Sequence, residues 1–378
     1  MKSYNVIIFN ELTGSPAPRR PAPARPLFRQ TIMTKRPSGR HARPVTMKDV
    51  ARLAGVSQPT VSRVLNNSVS TIAVSDATRD RVLAAVERLG YRPNMTARSL
   101  RTQRTQMIAL LIADISNGFY HPIARAIQDV ARQHDFDVLI ANSDHLYASE
   151  QHFCEAVIRR PVDGIIAVPI HLSEDEIDHL ITATRTPFVA LGQHIRHPEV
   201  DIVYLDDREA TRAAITWLIT ERGYRSIGFL GVPDEFPPGP RRRQGYEQAM
   251  AEAGLAIDPA FVFQGDFSLG AGRRAGRQIA ALKDRPQAVF ALNDLMAIGM
   301  ILELRAAGCR VPEDIAIMGF DNIPEATIIS PTLTTIAQDP VDIGRKLASA
   351  LFDRIEGRVT GPRRVLESDW ALIPRESA

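Results

Sequence analysis

Ten short apolar runs, spaced along the chain from Met107 onward, limit its fold more than any other feature. The first five are Ile108–Ala113, Asp137–Ala141, Gly164–Val168, Phe188–Leu191 and Ile202–Leu205. The second five are Ser226–Leu230, Val262–Gln264, Ala288–Leu292, Ile315–Gly319 and Thr334–Ile336. Most do not alternate apolar with polar residues, and amphipathic helical stretches separate them. Strands buried on both faces read this way, and strands alternating with helices build parallel βαβ units. Two series of five predict two similar α/β lobes. Sheets of this kind bind ligands beyond the carboxyl ends of their strands. Polar residues gather at those ends: Asp114, Asn117, Asp206, Asp266, Asn293, Asp294, Asp321, Asn322 and Gln338.

A length of 378 residues leaves room for more than these lobes, since domains run to roughly 100–200 residues. The longest apolar run, Met107 to Ala113, has seven residues, against the ~20 a spanning helix needs. Val6-Ile7-Ile8-Phe9 is too short for a secretory apolar core. Two cysteines exclude a disulfide scaffold and suit a reducing compartment. A soluble cytoplasmic protein with no membrane partner is expected. The net charge of +3 hides a steep gradient: +8 over residues 1–45, +6 over 46–105 and −11 over the remainder. A basic front on an acidic body points to a polyanion-binding head joined to a domain that binds something else.

Residues 1–45 form a disordered Pro/Arg-rich extension by composition. From Leu12 to Lys48 there is no acid, and residues 13–44 hold seven prolines and seven arginines. The segment reads as a nonspecific DNA-binding arm, a solvated extension, or an over-long start ahead of Met33 or Met47. An organelle transit peptide fits less well, because serine is sparse.

At Thr46 the texture changes. Met47, Val50, Ala51 and Ala54 lie on one helical face, with Thr46 as N-cap and Gly55 as the stop. Ser57 then caps a helix over Gln58–Leu65, with Pro59 in its first turn, where a missing N–H costs little. A turn of three or four residues between two helices is helix-turn-helix spacing. A third helix runs from about Asp76 to Leu89, with Val82, Ala85, Val86 and Leu89 as its apolar stripe and Gly90 as its stop. Such a head is too small for an independent enzyme. The outward face of its second helix carries Gln58, Thr60, Ser62 and Arg63, which could reach base edges and phosphates from the major groove. The bland alternative is a small bundle on which these groups are merely solvated.

The run from Thr46 through Val56-Ser57-Gln58-Pro59-Thr60-Val61-Ser62-Arg63 to Asn66 resembles the signature of the LacI/GalR family of bacterial transcriptional regulators. The likeness continues in Thr78-Arg-Asp-Arg-Val, Leu89-Gly-Tyr-Arg-Pro-Asn94 and Ala97-Arg-Ser-Leu-Arg101. It implies an all-α three-helix head over 46–93 and a hinge helix and linker over 94–105. Gln58 and Pro59 would then read bases, with Ser57, Thr60, Ser62 and Arg63 at phosphates or bases. Asn94, Ala97 and Leu100 belong to the hinge, whose leucine would wedge into the minor groove. A segment this short is not a stable helix alone, so folding only on DNA makes it a place to regulate binding. The stretch between Asn66 and Val74 is about three residues longer than the family pattern implies.

The body, 106–378, resembles the family's periplasmic-binding-protein-like effector domain, an α/β pair of lobes with parallel sheets. The matching segments include Asp114-Ile-Ser-Asn-Gly-Phe-Tyr120, Arg242-Arg-Gln-Gly-Tyr246, Ala291-Leu-Asn-Asp-Leu-Met-Ala-Ile-Gly299 and Gly319-Phe-Asp-Asn322. The likeness implies lobe one over about 106–206 and 340–367, and lobe two over about 207–338 and 368–378. It places Phe119, Tyr120, Arg242, Phe267, Asn293, Asp321 and Gln338 around an effector. Bland roles compete: Asn293 and Asp321 could cap helices, Phe267 could be core, and Arg242 could belong to the solvated run Arg241–Arg243. Gly192 departs from relatives that carry an aspartate there, which argues against an ordinary hexose.

Enzymatic readings find little support. Gly270-Ala-Gly-Arg-Arg-Ala-Gly276 places its last glycine one residue late for a dinucleotide loop. His194-x-x-His197 is not a His-Glu-x-x-His pair, no Gly-x-Ser-x-Gly elbow occurs, and Cys154 and Cys309 lack neighbouring metal ligands. The expected protein is not an enzyme and needs no cofactor or metal. It is expected to be a homodimer or tetramer that binds a pseudo-palindromic DNA operator and a carbohydrate-like small molecule. The alternative is a receptor of the same fold without a regulatory role.

Overall fold

The structure, a computed structural model, describes residues 45–66, 74–92 and 104–378. The N-terminal extension, the longer loop after Asn66 and the hinge residues Asn94, Ala97 and Leu100 lie outside the described residues. The chain divides into two compact units, residues 1–93 and 94–378.

The first unit contains α1 (Met47–Ala54), α2 (Gln58–Asn66) and α3 (Asp76–Leu89). Asp49 begins α1 by accepting from the Thr46 N–H at 3.0 Å and the Thr46 hydroxyl at 2.6 Å. Gly55 ends it at φ 64°, and its N–H returns to the carbonyls of Ala51 and Arg52. A residue with a Cβ would be strained there, so the glycine sets where the chain turns into α2. The apolar stripes converge as the periodicity predicts. Val50, Ala51 and Ala54 pack with Val61 and Val64 and with Val82 and Ala85, and Tyr91 closes the core.

The second unit is built on two sheets. One has the order β11-β5-β4-β3-β1-β2, from β1 (Met107–Ile112), β2 (Asp137–Asn142), β3 (Gly164–Ala167), β4 (Phe188–Leu191), β5 (Asp201–Tyr204) and β11 (Val365–Glu367). All its pairings are parallel. Residues 108–112 of β1, flanked by β3 and β2, are buried throughout, whereas every residue of β2, at the edge, is half-buried or exposed. Its helices are α4 (Tyr120–Gln133), α5 (Tyr147–Arg159), α6 (Glu174–Thr184) and α11 (Pro340–Ile355).

The other sheet has the order β12-β10-β9-β8-β6-β7. Its strands are β6 (Ile227–Gly231), β7 (Val262–Gln264), β8 (Ala288–Ala291), β9 (Ala316–Asp321), β10 (Thr334–Gln338) and β12 (Trp370–Ile373). Its helices are α7 (Asp207–Thr220), α8 (Pro238–Glu252), α9 (Leu269–Ala281) and α10 (Asp294–Ala306). The chain passes between the sheets after β5, after β10 and between β11 and β12.

β11 and β12 are additions to the ten strands expected from apolar runs. They are three and four residues long and mostly half-exposed or exposed, so no apolar signal marks them. β12 runs antiparallel to β10. β11 is held by a buried charge: Asp201 on β5, fully buried, meets Arg354 of α11 at 2.7 Å and Arg364 at 2.8 Å.

Candidate functional site

In the head, the buried face of α2 leaves its other face to solvent. Ser57, Gln58 and Pro59 are exposed, and Thr60, Ser62 and Arg63 are partly so. The Ser57 and Thr60 hydroxyls lie 2.9 Å apart, and the Ser57 carbonyl accepts from the Thr60 N–H at 3.0 Å. Arg63 reaches back toward the Pro59 carbonyl at 3.4 Å. The first turn of α2 contains no acid. The partial positive charge of its N-terminus therefore meets solvent beside short hydroxyls and an arginine, an arrangement suited to phosphate.

In the second unit a cleft of about 130 Å³ opens between the sheets. One water needs roughly 10–15 Å³ on this measure, so the cleft admits a small polar molecule. Its wall is made at the carboxyl ends of strands from both sheets. All seven residues expected there line it: Phe119 and Tyr120 at the start of α4, Arg242 on α8, Phe267 after β7, Asn293 after β8, Asp321 ending β9 and Gln338 ending β10.

Arg242 is 6% exposed, unlike the half-exposed Arg243, so it does not belong to a solvated run. Its Nε donates to Asp207 at 3.0 Å, one Nη donates to the Leu292 carbonyl, and Asp321 lies 3.9 Å away. The guanidinium sits 3.5 Å above the Phe320 ring centroid. Asp321 accepts from the Gln338 amide at 2.8 Å. Burial pushes its carboxyl up to about 8, against the pull of Arg242 and helped by Asp294 and Asp207. Burial likewise raises the Tyr120 phenol, with Asp321 and Asp114 adding to the rise.

Asn293 takes the helix-capping role that the sequence sets against effector contact, and it also lines the cleft. Its Oδ1 caps α10 through the Met296 N–H at 3.0 Å, while its Nδ2 donates to the Phe267 carbonyl at 2.9 Å. That second bond holds Phe267 at φ 66°, with its ring on the cleft. The ring is stacked on His145, centroids 5.0 Å apart and planes 13° apart, and Phe236 meets it edge-on at 5.6 Å. The loop carrying His145 belongs to one sheet and those carrying Phe236 and Phe267 to the other, so the rings bridge the cleft.

Sequence reading missed His145, His194, Asp207 and Arg241, which also line the cleft. The one signal that could have found them is their place just beyond strand ends or in the following first turn. His194 and His197 do not form a pair: His194 bonds the Pro169 carbonyl at 2.8 Å, and His197 lies 3.3 Å from Asp178. Of the other strand-end polar residues, Asn117 lines the cleft, Asp266 binds Arg274, and Asn322 accepts from Arg375. Asp294 is fully buried behind the wall and holds Ile323 N and the Thr335 hydroxyl. Among the described residues no group of three His, Cys, Asp or Glu side chains could hold a metal ion.

Comparison with known proteins places both units. Residues 46–94 match the model described as bacterial regulatory proteins, lacI family, and residues 218–378 match a periplasmic binding protein-like domain. The HTH-type transcriptional repressor CytR of Escherichia coli (strain K12) is 36% identical over 336 residues, 88% of this chain and 96% of that protein. Catabolite control protein A of Priestia megaterium is 35% identical over 334 residues, 88% of this chain and 99% of that protein. Among solved structures, a lac repressor dimer bound to operator and the anti-inducer ONPF superposes with a TM-score of 0.76 at 25% identity, covering 89% of this chain and 99% of that one. The transcriptional regulator CelR in complex with cellobiose superposes with a TM-score of 0.65 at 33% identity, covering 88% of this chain and 100% of that one.

Proposed function

The chain belongs to the lacI family of bacterial regulatory proteins, and from that premise we propose which of its residues do the work. It is a DNA-binding transcriptional repressor whose operator affinity responds to a small-molecule effector, and it works as a homodimer. It has no catalytic role and acts in the cytoplasm. Ser57, Gln58, Pro59, Thr60, Ser62 and Arg63 read one half-site of a pseudo-palindromic operator, and Asn94, Ala97 and Leu100 complete the grip in the minor groove. The effector sits between lobe one (about 106–206 and 340–367) and lobe two (about 207–338 and 368–378). There it touches Phe119, Tyr120, Arg242, Phe267, Asn293, Asp321 and Gln338. Convergence of these seven side chains on one cleft, from segments more than 200 residues apart in sequence, is the observation that carries the reading.

An effector biases the two lobe arrangements only by its difference in affinity for them, typically ~1–3 kcal/mol of coupling. Footprinting on genomic fragments tests the DNA half of this reading. The full chain should protect two symmetric half-sites. Arg63→Ala should lose that protection while melting at the same temperature. Protection unchanged in the variant refutes the role of Arg63, and no sequence-specific protection by the parent chain refutes the operator reading.

A further inference from the structure

Gly192 lies at φ 134°, a backbone state that side chains rarely adopt, and its neighbour's ring fills the space beside it. A Cβ built on Gly192 would fall 2.7 Å from Cε1 and 2.8 Å from Nδ1 of His194. The imidazole therefore stands where a side chain at position 192 would project, and both residues line the cleft. We propose that His194 selects the effector, presenting Nδ1 as an acceptor for a hydroxyl of an uncharged, polyhydroxylated ligand. This inference rests on reading the cleft as the effector site.

The tautomer follows from the partners. Nε2 lies 2.8 Å from the Pro169 carbonyl, which can only accept, so Nε2 carries the proton and Nδ1 keeps its lone pair. Nδ1 has no protein hydrogen-bond partner among the described residues. Burial lowers the pKa of His194, and Arg241 pushes the same way against Pro169, Glu174 and Asp207. The ring therefore stays neutral near pH 7.

The charges around it favour an uncharged ligand. Arg242 is engaged by Asp207, the Leu292 carbonyl and Asp321. Arg241 lies 3.4 Å from Asp206 and 3.6 Å from Asp207. The second of these contacts is made by Arg241 Nε, which is buried and, at that distance, has no hydrogen-bond partner. A donor at Arg241 Nε and an acceptor at His194 Nδ1 thus stand open on the cleft, and His145 Nδ1 is a further buried nitrogen there without a partner. A hydroxyl answers both needs, since it donates and accepts. A carboxylate has no proton to give Nδ1 and would confront Asp207.

The test uses thermal shift on the full-length protein with D-ribose, D-galactose, myo-inositol and cellobiose, set against D-glucuronate and ribose 5-phosphate. At least one neutral compound should raise the melting temperature, and neither anion should. His194→Asn keeps an acceptor near the place of Nδ1, whereas His194→Gln reproduces only the anchor to Pro169. The asparagine variant should therefore retain the binding, and the glutamine variant should weaken it by about tenfold, as expected for one lost hydrogen bond. A response to the anions alone, silence from every neutral compound, or any other ordering of the two variants overturns the proposal. A footprint that the parent chain still gives would show that only the ligand assignment, and not the repressor reading, had failed.

Discussion

At Asp321 a carboxyl is held at φ 120° with 7% of its surface exposed, between the Gln338 amide and the Arg242 guanidinium. Its folded pKa of about 8 stands above the ~3.9 of an unfolded chain. Between these values the folded state keeps a proton that the unfolded state has released. The stabilising contribution is complete below about pH 4 and is lost as pH rises through about 8. Asp321→Asn imitates the protonated form, so its melting temperature should exceed the parent's at pH 8, by about 2–4 °C for each kcal/mol gained. The advantage should shrink as pH falls toward 4. An advantage independent of pH would mean that the parent carboxyl is ionised in the fold. Arg242, Asn293 and Asp321 were legible because each stands in a recognisable segment. His194 and Arg241 were not, because nothing beside them in the chain reports the Pro169 carbonyl or Asp207 that give them their chemistry.

Gly272 and its neighbours show the same limit at the level of the element. The run Gly270 to Gly276 is a poor nucleotide loop, and the structure makes it the start of α9, packed on α10. A Cβ on Gly272 would overlap the Met296 carbonyl, and one on Gly299 would overlap the Leu269 carbonyl. The glycines let two backbones touch. Gly272→Ala should therefore cost about 1–3 kcal/mol, read as a lower urea midpoint at an unchanged slope. An unaltered midpoint would show that the helices separate freely. The helices of the head lay close to their expected bounds because caps and stops are local: Thr46 and Asp49, Gly55, Gly90. β11 and β12 escaped notice because such short, half-exposed strands depend on partners far away in sequence, β5 and β10.

Over the whole molecule, the division of charge into +8, +6 and −11 matches a division of labour between a DNA-reading head and an acidic sensor. The first 32 residues add positive charge without any matched family segment. Removing them should leave the footprint and its salt dependence as they are. A salt slope flatter by ~0.9 log unit for each lost contact would instead show that the extension meets phosphates. Among the described residues no helix is long and apolar enough to cross a membrane, in keeping with the short apolar runs.

The sequence by itself determined the fold class, the helix-turn-helix and most strand positions. Those features rest on caps, glycine stops and periodicity, which act between residues a few places apart. The tertiary structure alone decided that His145, Asp207 and Arg241 join the seven expected residues on one cleft, that His194 stands in the space beside Gly192, and that Asp321 shares its pocket with Arg242. Burial and the distances between remote segments set those outcomes, because desolvation and hydrogen bonding depend on neighbours in space.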